Sequence, residues 1–374
     1  MKKSLGIYIH IPFCIKKCGY CDFCSFPASS EELKVEYVNE LCRRIAQYNG
    51  KAGGYSVDTV YFGGGTPSTL SADLIERILS ELRSTFCISA DAEITIECNP
   101  ATVGAEYFCQ LRRMGINRLS MGLQSAVDSE LALLGRAHTA EKFDKSFYEA
   151  RAAGFDNISA DVMYGIPDQT PESLRYTLNH LISLSPEHIS AYGLMIEDGT
   201  YFAEKLSELC IADDDGQYEM YRICSEHLAA HGYDKYEISN FSKNGKHSRH
   251  NLRYWKGLEY IGFGVAAHSN FDGKRFGNSR DLSAFLRGED ITEECVILTD
   301  KDISDEYIML RLRLGEGICL SDYSATFGKE LSENCFSGWI DGGFMKLEHD
   351  RLSFTDKGFF VSNTIIAEIL DAQA

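Results

Sequence analysis

Between residue 5 and about residue 200 the chain alternates two periodicities. Short runs rich in β-branched and aromatic residues fall at Gly6–Ile11, Val57–Phe62, Glu93–Cys98, Asn117–Leu123, Asn157–Met163 and His188–Leu194. Such runs, bounded by turn residues, predict strands. Between them apolar residues recur every three or four positions, the spacing of a helix with one buried face. One such helix starts at Ser71 and aligns Leu74, Ile75, Ile78, Leu79 and Leu82. A second starts at Thr102, carries Phe108 and Leu111, and stops at Gly115; a third runs from Thr139 through Phe143 and Phe147 to Gly154. A fourth has Thr170 as its cap, Pro171 in its first turn and Pro186 just beyond its end. Gly115 and Gly154 each end a helix ahead of a strand, a weak repeat of one βα unit. Strands alternating with helices of this length predict an α/β fold built on a parallel sheet of about six βα units. Whether that sheet closes is not written in the periodicity.

The rhythm changes after residue 205. Residues 213–231 pattern as a helix, and 236–280 are rich in Gly, Asn, His and aromatic residues. From Asp300 an amphipathic segment leads to short helices, a hairpin turning at His349–Asp350, and a last helix over Phe359–Leu370. The expected division is 1–205 as a βα core, 206–295 as an α+β extension, and 296–374 as a small winged-helix-like domain.

Charge narrows the possible partners. Lys and Arg number 37 against 55 Asp and Glu, so the net charge is 37 − 55 = −18, and no basic block stands out. Binding to nucleic acid or to anionic membrane by bulk electrostatics is thereby disfavoured, and the last domain reads as a packing or lid element. No apolar run reaches the length of a membrane helix. His10 and Pro12 interrupt the apolar N-terminal stretch, which reads as a buried first strand and not as a signal peptide. Of 13 cysteines most stand alone, among them Cys42, Cys87, Cys109, Cys210 and Cys224, the usage of a reduced, cytoplasmic protein.

One cluster departs from that usage. CIKKCGYC sets Cys14, Cys18 and Cys21 in a C-x3-C-x2-C spacing just past the first strand. Three thiolates so close can wrap one soft metal centre. Zinc sites favour two separated pairs, and no second pair follows. Three ligands on a 4Fe–4S cluster leave one iron open to a small chelating ligand. The segment YIHIPFCIKKCGYC resembles the radical S-adenosylmethionine (SAM) superfamily. That resemblance implies a partial or full parallel (β/α) barrel, a 4Fe–4S cluster on the three cysteines, and SAM on the open iron, with the site at the strands' C-terminal ends.

Further segments extend the resemblance over almost the whole chain, towards the coproporphyrinogen-dehydrogenase-like branch. YFGGGTPS resembles the SAM-binding glycine motif, with Gly64, Gly65 and Thr66 at the ligand; read alone, a triple glycine serves equally as a strand-to-helix turn. Glu97, Gln124, Arg136 and Asp161 lie where strands end or loops begin. The resemblance implies that Arg136 pairs with the SAM carboxylate, that Glu97 meets a ribose hydroxyl or the surroundings of the sulfonium, and that Asp161 orients the adenosine hydroxyls or Arg136. It also implies that Tyr8 and Tyr20 pack on the ligand. Each alone reads equally as an ordinary surface residue.

Within the branch, two functions compete. One is oxygen-independent coproporphyrinogen III dehydrogenation; the other is haem chaperoning, in which haem is bound and passed to recipient haem proteins. The dehydrogenases carry a fourth cysteine two residues after the third, where this chain has Phe23, and Cys24 one residue later reads as a non-ligand. Their long N-terminal extension is absent too: only 13 residues precede Cys14. The resemblance of HNLRYW to a haem-associated motif of the chaperones implies haem contacts from His250, Asn251, Tyr254 and Trp255, with His250 as the axial ligand. The expectation is a haem chaperone on a radical SAM scaffold, with no integral membrane segment and no nucleic-acid partner. Its electron donor is not identified by the sequence, which leaves open a cluster-dependent dimer.

Overall fold

The computed structural model describes residues 2–27 and 29–373. All six expected strands form: β1 (Lys3–Ile11), β2 (Tyr55–Gly64), β3 (Ile88–Cys98), β4 (Arg118–Gln124), β5 (Ile158–Tyr164) and β6 (His188–Gly193). They pair in chain order and all parallel. The crossovers carry α1 (Glu31–Ala46), α2 (Ala72–Thr85), α3 (Ala105–Arg113), α4 (Asp128–Leu133), α5 (Ala140–Ala152) and α6 (Pro171–Leu184). The caps at Thr139 and Thr170 act as expected, each accepting from the backbone three residues on. The start of α3 differs. Thr102 turns its hydroxyl to the Asn99 carbonyl at 2.8 Å, so the helix begins at Ala105 with Gly104 as cap.

The period of two along the strands separates two environments. One set faces the helices and is aliphatic: Leu5, Ile7, Ile9 and Ile11 of β1, Leu119, Met121 and Leu123 of β4, Ile158, Ala160 and Val162 of β5, all completely buried. Each such side chain contributes about 1.5–3 kcal/mol by leaving water. The alternate set faces the inside of the curved sheet and is polar: Tyr8 and His10, Thr59 and Tyr61, Thr95 and Glu97, Arg118 and Ser120, Ser159 and Asp161, His188. Tyr8 bonds His10 along β1, and the bonds Tyr61–Glu97, Ser120–Asp161 and Ser159–His188 run across the strands. A polar lining inside an aliphatic shell is the groundwork of a binding cavity.

The sheet grows at both edges. α7 (Asp214–Ala230) leads to β7 (Asp234–Lys235) and β8 (Asn240–Ser242), which extend it antiparallel from β6. After the short helix α8 (Arg249–Trp255), β9 (Tyr260–Phe263) returns beside β1 as a seventh parallel strand, followed by antiparallel β10 (His268–Phe271), β11 (Lys274–Asn278) and β12 (Thr292–Ile297). The order β12-β11-β10-β9-β1-β2-β3-β4-β5-β6-β8-β7 gives twelve strands, and among the described residues no pairing joins the two edges, so the barrel is partial. The extra strands were missed in the sequence because β9 is four residues, YIGF, interrupted by a glycine.

A second apolar core gathers Ile308 of α9 (Asp300–Arg311) and Leu312 at its C-terminal cap, Tyr323 of α10 (Leu320–Phe327), Leu352 and Phe354, and Ile365, Ile366 and Ile369 of α11 (Ser362–Asp371). Tyr221 of α7 joins this cluster and ties it to the barrel. The expected hairpin pairs Met345–Glu348 with Arg351–Phe354 across His349 and Asp350, both at positive φ, the geometry a two-residue turn demands.

Candidate cofactor site at the barrel mouth

A cavity of about 610 Å³ opens at the C-terminal ends of the strands, a size usual for small-molecule sites. Cys14, Cys18 and Cys21 form one wall, with Tyr20, Gly64, Gly65, Thr66, Glu97, Gln124, Arg136 and Asp161 around them. The structure thus brings together residues that lie more than a hundred positions apart.

The cysteine loop is stitched in place by backbone. β1 ends at Ile11, just before Pro12, Phe13–Cys14 pairs with Phe26–Pro27, and the Gly19 amide donates to the Leu134 carbonyl at 3.1 Å. The glycine loop docks against it: Gly65 N–H donates to Ile11 O at 2.9 Å, and Thr66 N–H to Phe13 O at 2.8 Å. A Cβ on Gly65 would lie 2.9 Å from the Phe13 carbonyl and 3.1 Å from Cys14 Sγ, and Gly64 adopts φ +113° with its missing Cβ pointing into His10. Only glycine fits both positions. Burial raises the thiol pKa values of Cys14 and Cys21, and each is raised further by the neighbouring thiols.

The polar groups opposite are unusual in their protonation. Burial lifts Glu97 to about 7, with the like charge of Asp161 adding to it, although Tyr61 donates to Glu97 Oε1 at 2.8 Å. Asp161 is lifted to about 6 by burial, against hydrogen bonds from Ser190 and Ser120. Arg118, 2% exposed, lies near both and counteracts the shifts. Arg136 donates to the Gly122 carbonyl at 3.0 Å and sits 3.8 Å from Cys18 Sγ. Its buried Nε has no protein partner. Gln124 takes φ +68°, strained for a side chain of its kind, and accepts from Tyr192 O–H at 2.9 Å.

Among the described residues no three His, Cys, Asp or Glu side chains converge on a point where one ion would sit. A cluster differs in that each thiolate binds its own iron, which spreads the sulfurs apart. Three thiols on one wall, a glycine cradle and an unpartnered guanidinium nitrogen suit a cluster with a zwitterionic ligand beside it.

Two sets of the expected residues lie outside the wall of this cavity. Tyr8 is not on the cavity wall; it lies below, bonded to His10 Nδ1 at 3.1 Å. His250 is not on the cavity wall either. It belongs to α8, is 0% exposed, and engages Thr59 Oγ1 through Nδ1 (2.9 Å) and Tyr254 O–H through Nε2 (2.7 Å). Burial lowers it to about 3. Both of its nitrogens are thus engaged within the fold, and neither Asn251, Tyr254 nor Trp255 lines the cavity.

Sequence reasoning missed Tyr61, which donates to Glu97, Tyr192, which donates to Gln124, and Arg118, whose charge acts on both carboxylates. All three follow from alternation, since they are two residues, or an even number, from a polar residue already on the inner face. It also missed the rim, where Phe23 is 68% and Met195 70% exposed, beside Lys16, Lys17 and Leu194.

Comparison with known proteins accords with this geometry. The profile of the Radical SAM superfamily matches residues 8–181, and that of the HemN C-terminal domain residues 298–361. The chain is 32% identical over 374 residues to "Heme chaperone HemW" of Bacillus subtilis, covering 97% of this chain and 98% of that protein. It is 35% identical over 372 residues to "Heme chaperone HemW" of Escherichia coli, covering 97% of each. The crystallised coproporphyrinogen III oxidase HemN of Escherichia coli superposes with a TM-score of 0.86 over 98% of this chain and 90% of that one, at 23% identity, which establishes a shared fold. No helix among the described residues is long and apolar enough to cross a membrane. With its superfamily profile and its full-length likeness to these relatives, the chain belongs to the HemW family of the radical SAM superfamily.

Proposed function

We propose that this protein binds haem at the mouth of the barrel and delivers it to haem proteins, above a site for a 4Fe–4S cluster and SAM. The full-length likeness to relatives named heme chaperones carries this reading. Cys14, Cys18 and Cys21 would hold the cluster, which when bound would supply one-electron chemistry and an open coordination position beside them. Gly64, Gly65 and Thr66 present backbone to the ligand's amino and carboxylate groups. Arg136, tethered to Gly122, meets the carboxylate. Glu97 and Asp161 accept from the ribose hydroxyls, and Gln124, fixed by Tyr192, and Tyr20 border the remaining wall.

Haem is a flat apolar plate with two carboxylates. The rim matches it in kind: Phe23 and Met195 expose apolar surface on the cavity wall, and Lys16 and Lys17 supply local positive charge on a chain of net charge −18. Met195 has a thioether, a known haem ligand type. Haem titration of the anaerobically reconstituted protein is expected to saturate near one haem per chain. Lys16→Glu combined with Lys17→Glu is expected to weaken haem affinity about tenfold, as befits two charge-assisted contacts. An unchanged affinity removes the rim from the haem site, and no saturable binding by the wild type removes the haem reading.

A further inference from the structure

The HNLRYW segment closes the lower end of the barrel. The amides of Arg249 and His250 both donate to the Glu93 carboxylate at 3.1 Å, so β3 caps the start of α8. Arg253, 3% exposed, lies against Gly6, where a Cβ would come within 2.4 Å of its Cδ. It reaches Asp58 and, at 2.9 Å, the Glu259 carbonyl. Tyr254 packs edge-on against Tyr260 with ring centres 4.6 Å apart. Every one of these partners belongs to β1, β2, β3 or the approach to β9.

From this plug a stack of rings rises towards the cofactor cavity. His250 lies flat against Tyr61, with centres 5.2 Å apart and planes 25° off parallel, and against Tyr8 at 6.4 Å and 28°. Tyr8 and Tyr61 stack at 6.2 Å. Tyr61 then delivers its hydroxyl to Glu97 Oε1, on the cavity wall. The imidazole is itself held at both nitrogens, so its plane is fixed by Thr59 and Tyr254. Off-target freedom in Tyr61 would move the hydroxyl that fixes Glu97.

We propose that His250 is a positioning residue for the SAM site: it holds the Tyr61 ring so that the Tyr61 hydroxyl fixes Glu97 in the orientation that receives the ligand. The HNLRYW segment thereby acts on the ligand from beneath the cavity. This rests on the cavity being the SAM site, and the wild-type titration separates the two claims.

The test is SAM affinity by calorimetry on full-length, cluster-reconstituted protein, with thermal unfolding and haem titration of each variant alongside. His250→Leu, which fills the space without a flat ring, is expected to weaken SAM binding about tenfold, the scale of a small misplacement. His250→Phe restores the flat ring and is expected to bind SAM within about twofold of wild type, at some cost in stability for the two orphaned hydroxyls. Tyr61→Phe is expected to weaken SAM as His250→Leu does, and the double variant to be no worse than Tyr61→Phe alone, because both act through one hydroxyl. Haem saturation stays at the wild-type level throughout. If His250→Leu does not fold, His250→Gln takes its place with the same expectation. Unchanged SAM affinity in the ringless variant, additive losses in the double variant, or loss of haem with SAM affinity intact each overturns the proposal. Failure of the wild type to bind SAM overturns the reading beneath it.

Discussion

Replacing Cys18 by alanine is expected to leave protein that takes up little iron or sulfide under anaerobic reconstitution and lacks the broad absorbance at about 400 nm of a 4Fe–4S centre. The reason lies in the loop. Cys14 and Cys21 stand on either side of Cys18 in a segment of fixed backbone, pinned at Gly19 and by the Phe13–Cys14 pairing. Two thiolates leave two irons unligated by the protein, and a cluster so exposed is lost to solvent. SAM affinity is expected to fall with it, because the open iron supplies part of the binding and Arg136, 3.8 Å from Cys18 Sγ, is aligned beside it. Cys42→Ala, a cysteine on α1 remote from the cavity wall, is expected to retain cluster and absorbance. Iron and sulfide analysis together with the visible spectrum decides the matter; full iron content in the Cys18 variant would remove this thiol from the ligand set.

Glu97→Gln is expected to move stability and ligand binding in opposite directions. The folded-state pKa of Glu97 is raised from 4.5 to about 7. Between those values the native protein holds a proton that the unfolded chain releases, so this residue's contribution falls as pH rises from 4.5 through 7. At pH 8 wild type therefore carries an unfavourable buried carboxylate, costing on the order of 3 kcal/mol for the 2.5 units between 4.5 and about 7. Glutamine mimics the protonated form. The variant without cofactor is expected to melt several degrees higher than wild type at pH 8, with the difference gone by pH 4 to 5. It is also expected to bind SAM about ten- to a hundredfold more weakly, having lost a charged acceptor. Thermal melts across pH 4 to 8 check the sign. A variant less stable than wild type at pH 8 would show that Glu97 is ionised at little cost in the folded state.

The two effects share one cause. The cavity is built before its ligand arrives, and its walls bear the cost of polar groups held out of water. That is visible in the raised carboxylates, the left-handed Gln124 and the unpartnered Arg136 Nε.

How much of this was legible follows residue by residue. The six strands and most helices were, because aliphatic residues on the outer face leave a period of two, and caps such as Thr139 and Thr170 mark helix starts. Cys14, Cys18 and Cys21, the glycine loop, Glu97, Gln124, Arg136 and Asp161 were found at strand ends, and the fold carries them all to one cavity. Tyr8 lies one layer below the cavity wall, a depth the sequence does not show: its spacing from Cys14 gives neighbourhood in the chain, and the depth of a ring inside a barrel depends on the strands around it. The depth of His250 was hidden for a related reason. A histidine among polar and aromatic residues looks like a surface loop until Thr59, 191 positions away, is found on its Nδ1. The seventh parallel strand escaped because YIGF is too short to show a period, and it is recruited by pairing with β1.

The claim on which the functional account turns is that this chain carries haem and does not make its precursor. The measurement that tests it most directly gives one anaerobic, cluster-loaded preparation both tasks: coproporphyrinogen III with SAM and reductant, and then haem followed by an acceptor apo-haem protein. The account predicts no vinyl product and a haem spectrum that passes from this chain to the acceptor. Sustained decarboxylation to the divinyl product, with haem neither held nor passed on, would contradict it.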